Sequence, residues 1–295
     1  MNKMDILKIH TDSVLCVGDL HGSFKDISYF IKTYNIQNST IIFCGDFGIG
    51  FYKPDYYKQE FSRITKECKK RNVYVLAVRG NHDDVQEFNG NTYKKGKYIK
   101  TLRDYTVVQF YRLDDIEEKG EAFNVIAIGG AISIDRTYRL ARTERRALEY
   151  MHYHFCPFEE AFRKCQQEYW LGEEPFFDKD KLYEIKSSGI KINAVCTHTC
   201  PHFCIPYTKD GIQGWLLEDS KLEADIEHER QTMSNIYHRL IEDEHPLSKW
   251  CYGHYHFHNT EKIDNVTFHL LDMDRNGKMD FVEIKNFSKD ESTIS

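Results

Sequence analysis

The sequence predicts an α/β fold with a parallel sheet at its core and one inserted region. Short apolar segments bounded by glycine or polar residues are typical of buried strands. Two helical patterns, at 24–34 and 55–71, lie between the first of these segments, which is the alternation of parallel α/β domains. From about residue 136 to 190 the composition becomes charged and aromatic, and we interpret this stretch as an inserted cap. The apolar segments are SVLCVG (13–18), TIIFCG (40–45), VYVLAV (73–78), FNVIAIGG (123–130), INAVCT (192–197) and WCYG (250–253).

The remaining elements are predicted from shorter patterns. Residues 92–113 are typical of short antiparallel strands, and residues 261–284 return to strands. No internal repeat or low-complexity linker divides the chain, so we predict a single domain over 1–295 with 136–190 inserted in it. Further helices are expected at 143–152, 158–169, 178–187 and about 218–243.

The composition is that of a globular enzyme-sized protein. With 41% hydrophobic residues the chain can bury a core, and a net charge of −6 gives no general attraction to nucleic acid or anionic lipid. No segment approaches about 18 uninterrupted apolar residues, and the first 14 residues show no signal-peptide pattern. Nine cysteines, several of them in strand segments, are typical of reduced thiols. We therefore expect a cytoplasmic protein with no membrane partner.

Residues with metal-binding side chains follow five of the predicted strands. In α/β sheets, ligands lie beyond the carboxyl ends of the strands, so these side chains can converge in one crevice. A set of Asp, His and Asn without nearby thiols suits Mn²⁺, Fe or Zn²⁺. Seven such residues are too many for one tetrahedral ion and suit two ions that share a carboxylate. They are Asp19, His21, Asp46, Asn81, His198, His254 and His256.

Such a set points to hydrolysis at phosphorus. Two metal ions roughly 3.5–4 Å apart can activate a shared hydroxide for in-line attack on a phosphoester. This chemistry needs no protein nucleophile, but it needs an acid for the leaving oxygen, which an imidazole beside the metals can supply. No serine in a nucleophile-elbow sequence supports a serine hydrolase.

Taken in order, the five strand ends resemble the motifs of the calcineurin-like metallophosphoesterases. They span residues 13–258, which is most of the chain. The resemblance implies a four-layer α/β/β/α sandwich with two divalent metal ions at the sheet edges, Mn²⁺ being expected in vitro. The matching blocks are Gly18-Asp19-Leu20-His21-Gly22, Gly45-Asp46, Gly80-Asn81-His82-Asp83, His198 and Gly253-His254-Tyr255-His256.

The resemblance also implies roles for individual residues. His82 matches the residue beside the leaving group, with Asp83 as the partner that fixes its tautomer. Arg79 precedes the third block, where the family often has an arginine that contacts a substrate oxygen. The metal ligands would be Asp19, His21 and His256 for the first ion, Asn81, His198 and His254 for the second, and Asp46 as the bridge.

One departure from the family pattern argues against one branch of the family. Phosphoprotein phosphatases continue their second block with Asp, Arg and Gly, but here Asp46 is followed by Phe47-Gly48-Ile49-Gly50. The phosphate-binding arginine is therefore missing, which disfavours a protein Ser/Thr phosphatase. The stretches IGGAISIDRTYR (128–139) and YWLGEEP (169–175) look like a bacterial and phage-type branch, whose substrates are poorly defined.

The inserted region begins with a group of arginines. Arg136 and Arg139 are three residues apart, so a helix would place them on one face. Such a face can bind a phosphorylated or nucleotide substrate over the metals. The alternative is a solvated helix face with ion pairs to Glu144 and Glu149.

Two other motifs have competing interpretations. DMDRNGKMDFVE (272–283) fits an EF-hand calcium loop, but Asn276-Gly277 between apolar runs favours a β-hairpin. CTHTCPHFC (196–204) contains three cysteines, but their spacing is not that of a zinc knuckle. We instead expect His202 and Phe203 to form a rim beside the metals.

The sequence therefore predicts a dinuclear-metal-dependent hydrolase of phosphomonoesters or phosphodiesters. A nuclease or nucleotide pyrophosphatase of the same fold is the alternative, because the same metal pair cleaves diesters and anhydrides. A non-catalytic protein-binding scaffold is less favoured, since every ligand position is filled. The expected substrates are small phosphorylated molecules, nucleotides or short oligonucleotides, and the sequence identifies no protein partner.

Overall fold

The computed structural model describes residues 4–89, 96–207 and 211–288. Strands and helices of these residues alternate over the first part of the chain. The strands are β1 (Ile6–His10), β2 (Ser13–Val17), β3 (Ser39–Phe43), β4 (Tyr74–Ala77), β5 (Ile99–Thr101), β6 (Thr106–Tyr111), β7 (Phe123–Ile128), β8 (Ala194–Thr197), β9 (Lys249–Tyr252), β10 (Asn259–Ile263), β11 (Val266–Leu270) and β12 (Phe281–Asn286). The helices are α1 (Phe24–Thr33), α2 (Pro54–Arg71), α3 (Val85–Asn89), α4 (Arg136–His154), α5 (Phe158–Cys165), α6 (Lys179–Ser188), α7 (Ile212–Glu218) and α8 (Leu222–Glu242).

The strands form two sheets. One has the order β1-β6-β7-β8-β9-β11-β10 and the other has the order β12-β2-β3-β4-β5. Strands β2 to β5 are parallel, and so are β7, β8, β9 and β11. Antiparallel strands β12 and β10 close one edge of each sheet. The carboxyl ends of the parallel strands within each sheet therefore lie on the same side of that sheet, beyond the last residues of the strands.

The two sheets pack face to face and carry helices on their outer faces. In β2, Cys16 contributes to the apolar layer between the sheets, whereas Leu15 and Val17 pack with α1 and α2. In β8, Cys196 contributes to the same inner layer, whereas Val195 packs with α6 and α8. Side chains of a strand alternate between its two faces, so strands covered on both sides are apolar throughout. The predicted α/β/β/α sandwich is confirmed.

The six apolar segments form strands β2, β3, β4, β7, β8 and β9, as predicted. The prediction of antiparallel strands over 92–113 is wrong in part. Strand β5 runs parallel to β4, and β6 runs parallel to β1 and antiparallel to β7. The connection through α3 allows β5 to join its neighbour in the parallel direction. Residues 92–95 lie outside the described residues.

The predicted helix at 218–243 is interrupted near its start. Helix α7 ends before Asp219, whose carboxylate accepts a hydrogen bond from the backbone N–H of Lys221 and so favours a turn over helix. Within 136–190, α4 and α5 pack on each other, whereas Leu182 and Ile185 of α6 pack on the seven-stranded sheet. Among the helices of the described residues, none is both long and apolar enough to span a membrane.

Residues 272–283 contain the predicted turn. Asn276 and Gly277 have φ angles of 58° and 83°, and Arg275 pairs with Lys278 in an antiparallel bridge. Positive φ at both central residues is the geometry of a type I′ hairpin turn. Strands β11 and β12 flank the segment, so the two helices of an EF-hand are replaced by strands.

Candidate metal centre

The candidate ligands lie where strands of both sheets end. Asp19 follows β2, Asp46 follows β3, His198 follows β8, and the His254-Tyr255-His256 segment follows β9. Non-glycine residues rarely adopt positive φ, and such strain is held at functional sites by the surrounding structure. Four of the candidate ligands have positive φ, namely His21 (47°), Asp46 (42°), His254 (72°) and His256 (59°).

Two glycines of the motifs allow ligands to approach the backbone. A Cβ atom on Gly253 would lie 2.0 Å from Oδ1 of Asp19, and one on Gly45 would lie 2.0 Å from Nδ1 of His198. Both distances are far below van der Waals contact, so any other residue would displace the ligand. The glycines that precede Asp46 and His254 are therefore required by space.

The first ligand group consists of Asp19, His21 and His256. Oδ2 of Asp19 lies 3.2 Å from Nε2 of His256 and 3.7 Å from Nε2 of His21, and the two Nε2 atoms lie 3.1 Å apart. Burial opposes ionisation of Asp19, but His198 and the hydrogen bonds from His21 and His256 lower its pKa. One ionised carboxylate and two imidazole nitrogens thus face a common point, as ligands of one divalent cation do.

The second ligand group consists of Asp19, Asp46 and His198, all fully buried. Nε2 of His198 lies 3.3 Å from Oδ2 of Asp46 and 2.9 Å from Oδ1 of Asn81. Nδ1 of His198 donates to the carbonyl oxygen of Cys44 at 2.9 Å, so the lone pair of the neutral ring is on Nε2. Burial works against protonation of His198, but Asp46 and Asp19 raise its pKa to about 9. The site favours positive charge, which a divalent cation supplies.

Asp46 faces both ligand groups, and His254 lies beside the second group. Oδ2 of Asp46 is 3.8 Å from Nε2 of His21 and 3.3 Å from Nε2 of His198, so it faces both groups. The backbone N–H of His254 donates to the Asp19 carboxylate, and its ring packs edge-on against His198 with centroids 4.9 Å apart. The structure thus brings all seven predicted ligands together. The assignment of each ligand to an ion stays a prediction.

His82 lies at the rim of this centre with a fixed tautomer. Its Nδ1 atom is 2.6 Å from the carbonyl oxygen of Glu168, and a carbonyl can only accept, so Nδ1 carries the hydrogen. Nε2 therefore presents its lone pair to the site, 3.3 Å from Nδ2 of Asn81 and 4.0 Å from Oδ2 of Asp46. Burial lowers the pKa of His82 to about 4, although the charge of Asp46 raises it. His82 is thus a neutral acceptor at pH 7.

Asp83 does not pair with His82, contrary to the expectation from the sequence. Its carboxylate accepts hydrogen bonds from the backbone N–H groups of Phe47, Gly48, Ile49 and Gly80, at 3.1, 2.7, 2.7 and 2.8 Å. Consecutive side chains of the loop point to different sides, which separates the two residues. Asp83 therefore joins the loops that carry Asp46 and Asn81, and the Glu168 carbonyl takes the role expected of Asp83.

Arg79 is placed away from the ligands. Its side chain is 3% exposed and donates to the carbonyl oxygens of Glu173 and Glu174 at 2.9 and 3.3 Å, and to Asp104 at 3.2 Å. These contacts hold residues 172–174 against the core. They favour a structural role over the predicted contact with a substrate oxygen.

The two predicted substrate-binding arginines are engaged in ion pairs. Their partners are not Glu144 and Glu149, because the helix face turns toward other segments. The pairs are Arg136 with Asp219 and Asp225, at 2.6 Å each, and Arg139 with Asp135 and Glu168, at 2.8 and 2.9 Å. The ion-pair interpretation is thus favoured, although Arg139 stays near His82 through Glu168, which contacts both residues.

His202 and Phe203 do not form the predicted rim. Nδ1 of His202 is 2.7 Å from the hydroxyl of Ser234 on α8, and the Phe203 ring packs against Tyr237 and Phe268. Phe203 therefore belongs to the apolar layer between α8 and the seven-stranded sheet.

Three buried residues that the sequence did not single out surround the second ligand group. Nδ2 of Asn81 donates to the hydroxyl of Ser133 at 2.8 Å, and Glu173 accepts from both the backbone N–H and the hydroxyl of Ser133. Glu229 accepts from the backbone N–H of Ile132 and from the hydroxyl of Thr199. A glutamate between aromatic residues and a proline, in YWLGEEP, is the only sequence signal for Glu173.

A comparison with family models matches the chain to the calcineurin-like phosphoesterases over residues 13–258. Among solved structures, a dimetal phosphatase from Danio rerio is 12% identical, with 90% of this chain and 88% of that chain covered and a TM-score of 0.43. The protein TT1561 of Thermus thermophilus is 12% identical, with 93% and 100% covered and a TM-score of 0.47. No curated protein matches the sequence.

The matched region includes all five motif blocks and both ligand groups. It also covers most of the chain. The protein therefore belongs to the calcineurin-like phosphoesterases, a family of metal-dependent phosphoester hydrolases.

Proposed function

We propose that this hydrolase acts with two divalent cations, one in each ligand group, on phosphomonoesters or phosphodiesters. The convergence of acceptor atoms from Asp19, His21 and His256 on one side, and from Asp19, Asp46 and His198 on the other, carries this proposal. Mn²⁺, Fe and Zn²⁺ suit these ligands, and we expect Mn²⁺ to support activity in vitro. When bound, the cations supply Lewis acidity toward the phosphoryl oxygens and lower the pKa of water.

His82 would serve the leaving group. The attacking water would lose its proton to solvent, and Nε2 of His82 would pass a proton from solvent to the leaving oxygen as the P–O bond breaks, while the Glu168 carbonyl keeps the ring in place through Nδ1. Asn81, Asp46 and the other ligands orient the reacting groups. Arg79 and Asp83 would serve by holding loops, and not by contact with the substrate.

The substrate would approach from the side of His21 and His256, whose side chains are 23% and 39% exposed. Arg136 and Arg139 would contact it only where a phosphate displaces a paired carboxylate. A small phosphorylated molecule, a nucleotide or a short oligonucleotide fits these conditions. A nuclease or nucleotide pyrophosphatase would use the same site and would differ only in the bond of the substrate that it cleaves. A cytoplasmic location is part of the proposal and is supported by nine unbridged cysteines.

The test compares p-nitrophenyl phosphate with bis-p-nitrophenyl phosphate. Protein stripped of metal is supplied with Mn²⁺, and an Asp46→Asn variant serves as the control for contaminating activity. Cleavage by the wild type alone supports the proposal, and preference for the diester favours nucleotide or nucleic acid substrates. If neither compound is cleaved above the level of the variant and the chain retains no metal, the protein-binding scaffold replaces this proposal.

A further inference from the structure

A carboxyl group of the inserted region lies two hydrogen bonds away from the candidate ligand Asn81. Glu173 is 3% exposed. It accepts from the backbone N–H of Ser133 at 2.9 Å and from the Ser133 hydroxyl at 2.5 Å. The same hydroxyl oxygen accepts from Nδ2 of Asn81 at 2.8 Å, and Nε2 of His82 is a second, longer contact of Nδ2 at 3.3 Å. The chain Glu173–Ser133–Asn81 therefore joins the insertion to the buried ligand group.

This chain has a direction. When Glu173 is ionised it has no hydrogen to donate, so the Ser133 hydroxyl points its hydrogen at Glu173 and its lone pairs at Asn81. Lone pairs accept only from the Nδ2 end of the amide. The Oδ1 end is then turned toward the second ligand group, where it lies 2.9 Å from Nε2 of His198. The amide end that can bind a cation thus faces the cation site.

From this arrangement we propose that Glu173 is a positioning residue that, through Ser133, keeps Oδ1 of Asn81 directed at the cation of the buried group. The inference rests on the proposed function, because it assumes that this group binds a cation. Without a carboxylate at position 173 the Ser133 hydroxyl can reverse its direction, and the amide can then turn its donor end toward the cation.

A Glu173→Gln substitution reverses this direction while it conserves size. The Gln carbonyl can accept from the Ser133 backbone N–H, which places the Gln amide group against the Ser133 oxygen. The hydroxyl hydrogen then loses its acceptor and points toward Asn81, which favours the flipped amide. We expect one Mn²⁺ ion to bind as in the wild type and the other to bind about 10- to 100-fold more weakly.

The measurement is a titration of free Mn²⁺ by electron paramagnetic resonance. It is made at pH 8.5, because burial raises the pKa of Glu173 to about 8 while the Ser133 hydrogen bonds lower it. Unfolding of each variant is followed in excess chelator. A purely structural role would weaken both Mn²⁺ ions or lower the unfolding temperature, whereas a positioning role weakens one ion and leaves that temperature unchanged.

The chain offers a matched control in Glu229. This carboxylate is equally buried and also accepts from one backbone N–H and one hydroxyl, those of Ile132 and Thr199. These two hydrogen bonds go to the residues that precede Ser133 and follow His198, and neither is made to the Asn81 amide. Glu229→Gln is therefore expected to keep both Mn²⁺ ions, and an equal loss in this variant would contradict a specific role of Glu173.

A double substitution tests the route through Ser133. Ser133→Ala removes one acceptor of Asn81 but leaves no hydroxyl to reverse, so we expect a loss of a few fold. In that background Glu173→Gln should add nothing. The inference is overturned if the effects of Ser133→Ala and Glu173→Gln on Mn²⁺ binding multiply. It is also overturned if either of these two single variants binds two Mn²⁺ ions as tightly as the wild type. A wild type that binds no Mn²⁺ would instead overturn the proposed function.

Discussion

The two halves of the candidate metal centre, which are the two ligand groups, share Asp19 but differ in their contact with solvent. In the open half, the side chains of His21 and His256 are 23% and 39% exposed. In the buried half, the side chains of Asp46 and His198 are 1% and 0% exposed. Ligands of the open half can contact a substrate directly. Ligands of the buried half are closed to solvent, so neighbouring protein groups hold them in place.

This difference shows in the supporting contacts. His198 is oriented by the Cys44 carbonyl, and Asn81 is oriented by Ser133. His21 and His256 instead contact each other through their Nε2 atoms and the Asp19 carboxylate. Removal of a ligand that is charged and buried should therefore affect folding and metal binding together, and removal of a ligand of the open half should affect metal binding alone.

The largest effect on turnover is expected for Asp46→Asn, because Asp46 faces both halves. Removal of its charge weakens both cations, and the loss of several kcal/mol of transition-state stabilisation corresponds to about a thousandfold in rate. The measurement is hydrolysis of both p-nitrophenyl esters together with the metal content of the purified protein. Retention of wild-type rates by the folded variant would contradict a role for Asp46.

A smaller loss is expected for His82→Ala, which removes the proton carrier and one long contact of the Asn81 amide but no candidate ligand. Rates should fall by at least about tenfold, as general acid–base catalysts contribute, while two Mn²⁺ ions still bind. His228→Ala, an exposed position on α8, is the matched control. A parallel loss of metal in His82→Ala would show that His82 supports the ligands and is not a proton carrier.

The comparison of the halves is tested by His198→Ala and His256→Ala. Loss of His198 leaves Asp19 and Asp46 as adjacent buried charges, which costs about 3–5 kcal/mol of unfolding free energy. Loss of the part-exposed His256 should cost less than about 1 kcal/mol. Denaturant unfolding of both variants in excess chelator measures the two costs. Equal costs would remove the distinction between the halves.

The smallest effect is expected for Arg139→Ala. The guanidinium pairs with the Glu168 side chain, and the backbone carbonyl of the same residue orients His82. Because this effect on His82 is indirect, kcat should fall by a few fold only. Exposed Arg142→Ala on the same helix is the control. A large rise in KM with unchanged kcat would instead show that Arg139 contacts the substrate, as the sequence suggested.

The sequence predicted that the candidate ligands lie together because each follows an apolar strand, and parallel strands end on a common side of the sheet. The principal strands followed from the same apolar segments, whereas the sandwich followed from the resemblance to the calcineurin-like metallophosphoesterases. The pairing of β5 and the break before α8 could not be predicted, because they depend on a crossover and on one side-chain hydrogen bond.

The supporting residues of the buried half were harder to predict than its ligands. The Cys44 and Glu168 contacts use backbone carbonyl oxygens, which any residue type provides. Ser133 and Glu173 are about 40 residues apart in sequence and meet only in the fold. Asp83 and Arg79 lie inside or beside a motif, yet their side chains point to other loops, because adjacent residues of a turn face different directions.

The central claim is that the two ligand groups bind the cations on which hydrolysis depends. The most direct measurement follows hydrolysis of bis-p-nitrophenyl phosphate and p-nitrophenyl phosphate by metal-stripped protein during titration with Mn²⁺, with bound Mn²⁺ per chain determined in the same samples. The account predicts that activity toward at least one ester rises until about two ions per chain are bound, and that Asp46→Asn shows neither rise. Full activity in the stripped protein, or two bound ions without hydrolysis of either ester, would contradict it.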